Sequence, residues 1–257
     1  MLLNFKESGD PGEEPLIMLH GLLGSSRNWV GAARGLSERF RVITVDARNH
    51  GASFHATTHT FDDMVDDLME LLDHLGLDNV TLMGHSMGGK TAMILACRYP
   101  ERVKQLFVID TAPKDYPNLH VEEFVAMNAL DLSSLNSRNE ADEKIAEYID
   151  DWAFRQFLIT NIVRGEDQAF KWTINLPVIE SHIPALSKNA LDLDDTFAGP
   201  GYFLIGGQSH FVASADFNDI RFHFPQVSID TWEDSGHTPH FEHRDRFVQW
   251  VLEKVEG

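Results

Sequence analysis

Hydrophobic and polar positions along this chain follow two alternating periods. Short runs of strand-like composition fall at 2–6, 16–20, 41–46, 80–84, 103–110, 202–206 and 227–232. Between several of them lie stretches with apolar residues every three or four positions, at 28–37, 61–75, 90–99, 215–223 and 244–253. Strand followed by helix, repeated, predicts βαβ units and hence an α/β fold with a mostly parallel central sheet covered by helices on both faces. Leu16-Ile17-Met18-Leu19 and Leu106-Phe107-Val108-Ile109 are apolar at every position, as expected of central strands buried on both sides.

The alternation is interrupted once. Helical stretches at 121–132, 140–149 and 152–163 are followed by a short extended piece at 170–174 and a loop carrying Pro177 and Pro184. The expected organisation is a core domain of residues 1–111 and 199–257 with a helical cap, 112–198, inserted between two strands. Such an insertion, entering at the C-terminal edge of the sheet, would cover an active site there. The cap aromatics Phe124, Trp152, Phe154, Phe157, Phe170 and Trp172 are expected chiefly as packing, with a few lining the pocket.

Candidate chemistry enters at Gly84-His85-Ser86-Met87-Gly88. The β-prone run Asn79-Val80-Thr81-Leu82-Met83 precedes it, and a helical run from Gly89, stopped by Pro100, follows it. Strand, tight turn and helix around G-x-S-x-G is the context of a nucleophile elbow. The turn exposes the Ser86 hydroxyl and aims a helix N-terminus at whatever it attacks. A serine hydroxyl is a weak nucleophile at neutral pH and needs a base, which in turn needs a group that orients it.

The expected chain order is serine, acid, histidine. His237, in Ser235-Gly236-His237-Thr238-Pro239, follows the last strand and precedes the last helix, so it projects at the same sheet edge as Ser86. His240 and His243 follow at three-residue intervals, but no further ligand cluster with metal-site spacing accompanies them. Asp110 ends the strand 103–110, where its carboxylate would emerge beside Ser86 and could find an imidazolium partner. The alternative role for Asp110 is capping the first helix of the insertion, and Asp216 and Asp234 are competing acids. The backbone N–H groups of Leu22, in His20-Gly21-Leu22-Leu23-Gly24, and of Met87 are the expected oxyanion donors. His20 reads as a loop-holding residue, and His50, in the polar loop 46–53, as an outside candidate for substrate contact.

Composition narrows the partners. Lys and Arg number 21 against 40 Asp and Glu, a formal charge of −19, which disfavours nucleic acid and anionic membranes. The N-terminal residues lack the basic and long apolar segments of a secretory signal, and no run of 18 apolar residues suggests a membrane span. The single cysteine, Cys97, is expected as a small buried apolar residue rather than a reactive thiol, consistent with a cytoplasmic protein.

The chain resembles the α/β-hydrolases over nearly its whole length, and more narrowly the YbfF-like bacterial esterases. The narrower likeness rests on Asp46-Ala47-Arg48-Asn49-His50-Gly51, Gly84-His85-Ser86-Met87-Gly88-Gly89-Lys90 and Ile109-Asp110-Thr111-Ala112-Pro113. Most α/β-hydrolases carry the acid after the next strand; here that loop reads Gly206-Gly207-Gln208-Ser209, with serine in its place. The resemblance therefore implies Asp110 as the acid. It also implies a carboxylesterase for small acyl esters, and in some members acyl thioesters, with no metal or organic cofactor. The same scaffold hosts cofactor-free lyases, C–C bond hydrolases and non-catalytic ligand receptors, which remain the alternatives.

Overall fold

The computed structural model describes residues 1–116, 120–166 and 168–256. Seven strands form the main sheet in the order β1-β3-β2-β4-β5-β8-β9, where β1 is Phe5–Ser8, β2 Pro15–Leu19, β3 Arg41–Val45, β4 Val80–His85, β5 Val103–Ile109, β8 Gly201–Gly206 and β9 Val227–Trp232. Only β1 runs antiparallel, with Phe5 opposite Val45; every other pairing in this sheet is parallel.

Side chains of successive strand residues point to opposite faces, and the central strands divide accordingly. Ile17, Leu82, Leu106, Val108 and Phe203 enter the core on one face, and Leu16, Met18, Met83, Phe107 and Leu204 enter the core on the other. The first core is closed by α2 (Phe61–Leu75), α3 (Met87–Arg98) and α8 (Phe217–His223). The second is closed by α1 (Val30–Leu36) and α10 (Arg244–Glu256), through Ala32, Leu36, Phe247 and Val251. Helix α2 shows why these segments fold. The Thr60 hydroxyl accepts from the Asp63 N–H at 3.2 Å, the Asp63 carboxylate accepts from the Thr60 N–H in return, and Gly76 ends the helix at φ 66°. Met64, Val65, Leu68, Leu71 and Leu72 form its buried stripe, each contributing about 1.5–3 kcal/mol.

Between β5 and β8 lie α4 (Val121–Asn128), α5 (Arg138–Ile145), α6 (Trp152–Ile159), the hairpin β6 (Ile162–Arg164) and β7 (Phe170–Trp172), and α7 (Leu176–Leu186). They share a separate apolar core that includes Leu23 of the β2–α1 loop. Three details depart from expectation. The stretch 152–163 is helical only to Ile159, because β-branched Ile162 and Val163 pair with Trp172 and Lys171 across the hairpin. The segment with Pro177 and Pro184 is a helix: Pro177 sits in its first turn, where no N–H is required, and Pro184 near its end. The first core helix starts as a 3₁₀ turn at Ser26–Trp29 before α1.

The insert lies at the C-terminal ends of the parallel strands. Asn161 Nδ2 donates to Leu23 O at 2.8 Å and the Asn175 N–H donates to Asn49 O at 2.9 Å. Among the described residues no helix is long and apolar enough to cross a membrane.

Candidate active site

Ser86 occupies the turn between β4 and α3 at φ 51°, a left-handed conformation that costs about 1–3 kcal/mol for a residue with a side chain. The glycines beside it are required by close approach. A Cβ on Gly84 would stand 2.2 Å from Gly88 O, and one on Gly88 would stand 2.5 Å from Leu19 O. The Ser86 N–H donates to Ile109 O at 3.0 Å, so the apex of the turn is bonded directly to the residue before Asp110.

Asp110 is also left-handed, at φ 48°, and fully buried. Its Oδ1 accepts from the Gly206 N–H at 3.0 Å, and its Oδ2 accepts from Ser209 Oγ and from His237 Nδ1, the latter at 2.7 Å. Three donors compensate the burial of this carboxylate. The alternative helix-capping role does not apply, since α4 begins at Val121 with His120 as its N-cap. Asp216 instead pairs with Lys114 at 2.5 Å, and Asp234 with Arg246 at 2.8 Å on the surface.

The His237 ring is held on three sides. Phe211 stacks on it at 3.8 Å between centroids and 15° between planes. The His85 ring lies 4.6 Å away, and its Nε2–H donates to the His237 carbonyl at 2.9 Å. The loop itself is clamped by Glu242, whose carboxylate accepts from the Gly236 N–H at 2.7 Å and from the Thr238 N–H and hydroxyl at 3.0 and 2.8 Å. Burial acts to raise the Glu242 pKa, but these donors outweigh it and the net shift is downward.

The structure thus joins Asp110 to His237 and sets Ser86 beside them, but it makes no hydrogen bond from Ser86 Oγ. That hydroxyl and His237 Nε2 are both unengaged among the described residues. The N–H groups of Leu22 and Met87 are likewise unspent, while the neighbouring Leu23 N–H donates to His50 Nε2 at 3.2 Å. Leu22, Ser86 and Met87 face a narrow cavity of about 30 Å³, walled by Phe61, Ile183, Leu186 and Phe211, which has room for one or two waters as it stands.

Several other histidines near the site have structural contacts instead. His20 holds its loop by donating from Nδ1 to Gly21 O at 2.8 Å and accepting the Ala47 N–H at Nε2 at 3.0 Å. His50 is corrected from a substrate-contact candidate: it is fully buried, with Nδ1 on Arg48 O and Nε2 on the Leu23 amide. Burial drives the pKa of His50 and His85 well below the ordinary range and that of His240 to about 3, so these rings stay neutral. His237, His240 and His243 serve separate contacts, and no group of three or more metal-ligating side chains occurs among the described residues. Burial pushes the Cys97 thiol up to about 12, which removes its nucleophilic form at neutral pH.

Two supporting residues escaped the reading of the sequence. Ser209 stands where the wider family has its acid, and here it bonds Asp110 while its Oγ accepts from the Phe211 N–H at 3.1 Å. It therefore orients both the carboxylate and the ring stacked on His237. Glu242 had no signal, because its partners are backbone and hydroxyl groups of the preceding loop.

Residues 14–147 match the alpha/beta hydrolase fold family. The chain is 36% identical to the sn-1-specific diacylglycerol lipase ABHD11 of Mus musculus, over 95% of this chain and 81% of that protein. It is 33% identical to the esterase YbfF of Escherichia coli (strain K12), over 92% of this chain and 91% of that one. Among solved structures, a marine microorganism esterase superposes with a TM-score of 0.95 at 37% identity, covering 98% of both chains.

Proposed function

Because this chain belongs to the α/β-hydrolase family and is YbfF-like within it, we propose that it is a serine carboxylesterase acting on small to medium acyl esters through an acyl-enzyme. The reading rests above all on the 2.7 Å bond between His237 Nδ1 and Asp110, formed at the rim that carries the free Ser86 hydroxyl. Esterases and a lipase among the relatives support it.

With its Nδ1–H donated to Asp110, the neutral His237 ring presents an unprotonated Nε2. That nitrogen takes the Ser86 proton as Oγ bonds to the ester carbonyl carbon. The developing oxyanion is met by the Leu22 and Met87 N–H groups, each such donor being worth about 3 kcal/mol in a transition state. Collapse of the tetrahedral intermediate breaks the bond to the alkoxy group, which leaves as alcohol with the proton from His237. Water then gives a proton to His237 as it attacks the acyl carbon; the acyl–Oγ bond breaks as that proton passes from His237 to Oγ, releasing the carboxylic acid and restoring Ser86. Asp110 orients the imidazole and balances its charge throughout. Residues 112–198 serve as the cap that shapes the acyl site, and the chain's own residues supply every step without a cofactor.

The test is a profile of p-nitrophenyl acetate, butyrate and octanoate beside the corresponding acyl-CoA thioesters. Hydrolysis of the short esters, with kcat/KM highest at acetate or butyrate, is expected from the narrow apolar cavity. No turnover of any activated ester would overturn the proposal and favour a ligand-binding role on the same scaffold.

A further inference from the structure

Lys90 is an unusual presence beside the nucleophile. It sits one turn along α3 from Ser86, its N–H donating to Ser86 O at 3.0 Å, and its side chain is buried in the wall of the Ser86 cavity. Among the described residues no carboxylate lies within ion-pair distance of it. A buried ammonium with no direct ion pair is costly: burial lowers the Lys90 pKa to about 8, and the more distant Asp115 carboxylate opposes this only in part. A methionine or leucine would fill the space without that cost, so the charge must act on something.

What it acts on is the chain returning from the insert. The Nζ donates to Leu186 O at 3.2 Å and to Lys188 O, carbonyls at the C-terminal end of α7, where helix carbonyls lack intrahelical partners and the dipole favours a cation. Phe61 and Tyr116 place ring faces 5.0 and 5.4 Å from the same Nζ. The outgoing and returning connections are also clasped to each other. The Tyr116 N–H donates to Ser187 O at 2.6 Å, and Asp115 accepts from the Asn189 N–H and from Lys188 Nζ at 2.8 and 3.0 Å. Lys90 adds a direct tie from this clasp to the helix that carries Ser86, and the last turn of α7 that it holds supplies Ile183 and Leu186 to the cavity wall.

We propose that Lys90 is a specificity-determining positioning residue: its ammonium pins the C-terminal turn of α7 against the nucleophile helix and thereby fixes the depth of the acyl site, restricting it to short chains. This rests on the esterase reading above. Without the tie, the buried Leu186 carbonyl and the part-buried Lys188 carbonyl lose their donor and the segment must move outward to hydrate them, withdrawing Ile183 and Leu186 from Ser86.

The experiment compares wild type with Lys90→Met and Lys90→Gln in kcat and KM for p-nitrophenyl acetate and octanoate, with Lys90→Arg as the conservative variant. Hydrogen exchange of the backbone amides of residues 183–190 is followed in parallel. The acetate-to-octanoate ratio of kcat/KM is expected to fall at least tenfold in Met and Gln, mainly through a lower KM for octanoate. Exchange at 183–190 should rise, and Arg should restore most of the ratio. Equal losses on both esters, or an unchanged ratio in an active enzyme, would overturn the role of Lys90 alone. A wild type inactive on every ester would instead overturn the esterase reading, and the acyl-length role with it.

Discussion

Ser86→Ala is expected to lower kcat on p-nitrophenyl butyrate by about 10⁴-fold or more, because removing the nucleophile of a triad leaves only binding and oxyanion stabilisation. The structure makes this a clean deletion. Ser86 Oγ has no hydrogen-bond partner among the described residues, so alanine removes no structural contact. The left-handed backbone at φ 51° is held by the strand and helix on either side and by the bond from the Ser86 N–H to Ile109 O. Alanine bears the same backbone strain as serine there, so the melting temperature should change by no more than about 2 °C. Retained turnover in a folded variant would remove Ser86 from the mechanism.

Asp110→Asn should come next, lowering kcat by roughly 10⁴-fold. Both carboxylate oxygens are in use: one by the Gly206 N–H, the other by the Ser209 hydroxyl and His237 Nδ1. Asparagine has one accepting oxygen. If that oxygen meets Gly206, the amide NH₂ faces His237 and selects the tautomer with the proton on Nε2, which cannot accept the Ser86 proton. If it meets His237, the buried Gly206 N–H is left unpaired at a cost of about 1–3 kcal/mol. Ser209→Ala removes one donor of the three and is expected to be milder, at about 10–100-fold, the worth of one hydrogen bond to a charged group. Asp216→Asn and Asp234→Asn should stay within threefold in kcat, since their partners are Lys114 and Arg246. Steady-state kinetics on the four variants gives the ranking, and a severe loss at Asp216 or Asp234 with a mild one at Asp110 would mean the acid lies elsewhere.

The sheet was legible because its information is local. Apolar runs such as Leu106–Ile109 and the stripe of α2 are written in consecutive residues, and burial on both sheet faces leaves little choice of structure. The elbow was legible for the same reason, since strand, turn and helix adjoin in sequence. The insert was harder. In α7, Pro177 and Pro184 read as loop punctuation, although the apolar positions Leu176, Ile179, Ile183 and Leu186 keep helical spacing and both prolines stand near its ends. The β6–β7 hairpin has only three residues on each side, too few to establish a period of two.

Site residues divide in the same way. Ser86, Asp110 and His237 occupy strand-to-loop junctions that topology brings to one edge, so position along the chain points to them. Ser209, Glu242 and Lys90 act through contacts spanning 99 residues, through backbone and hydroxyl partners within one loop, and through carbonyls up to 98 residues away. None of those links leaves a spacing pattern. His50 shows the opposite error, because a histidine in a polar loop suggests exposure, whereas its two ring nitrogens are occupied in the interior.

Ser86 is argued to be reactive because the imidazole of residue 237, steadied by residue 110, draws off its proton. The most direct measurement of that dependence is the rate and site of labelling by a fluorophosphonate, followed by intact mass and peptide mapping. One adduct per chain on the peptide containing Ser86, formed rapidly in wild type and lost in His237→Ala, is the expected outcome. An adduct on another residue, or labelling of Ser86 at an unchanged rate once the imidazole is gone, would contradict it.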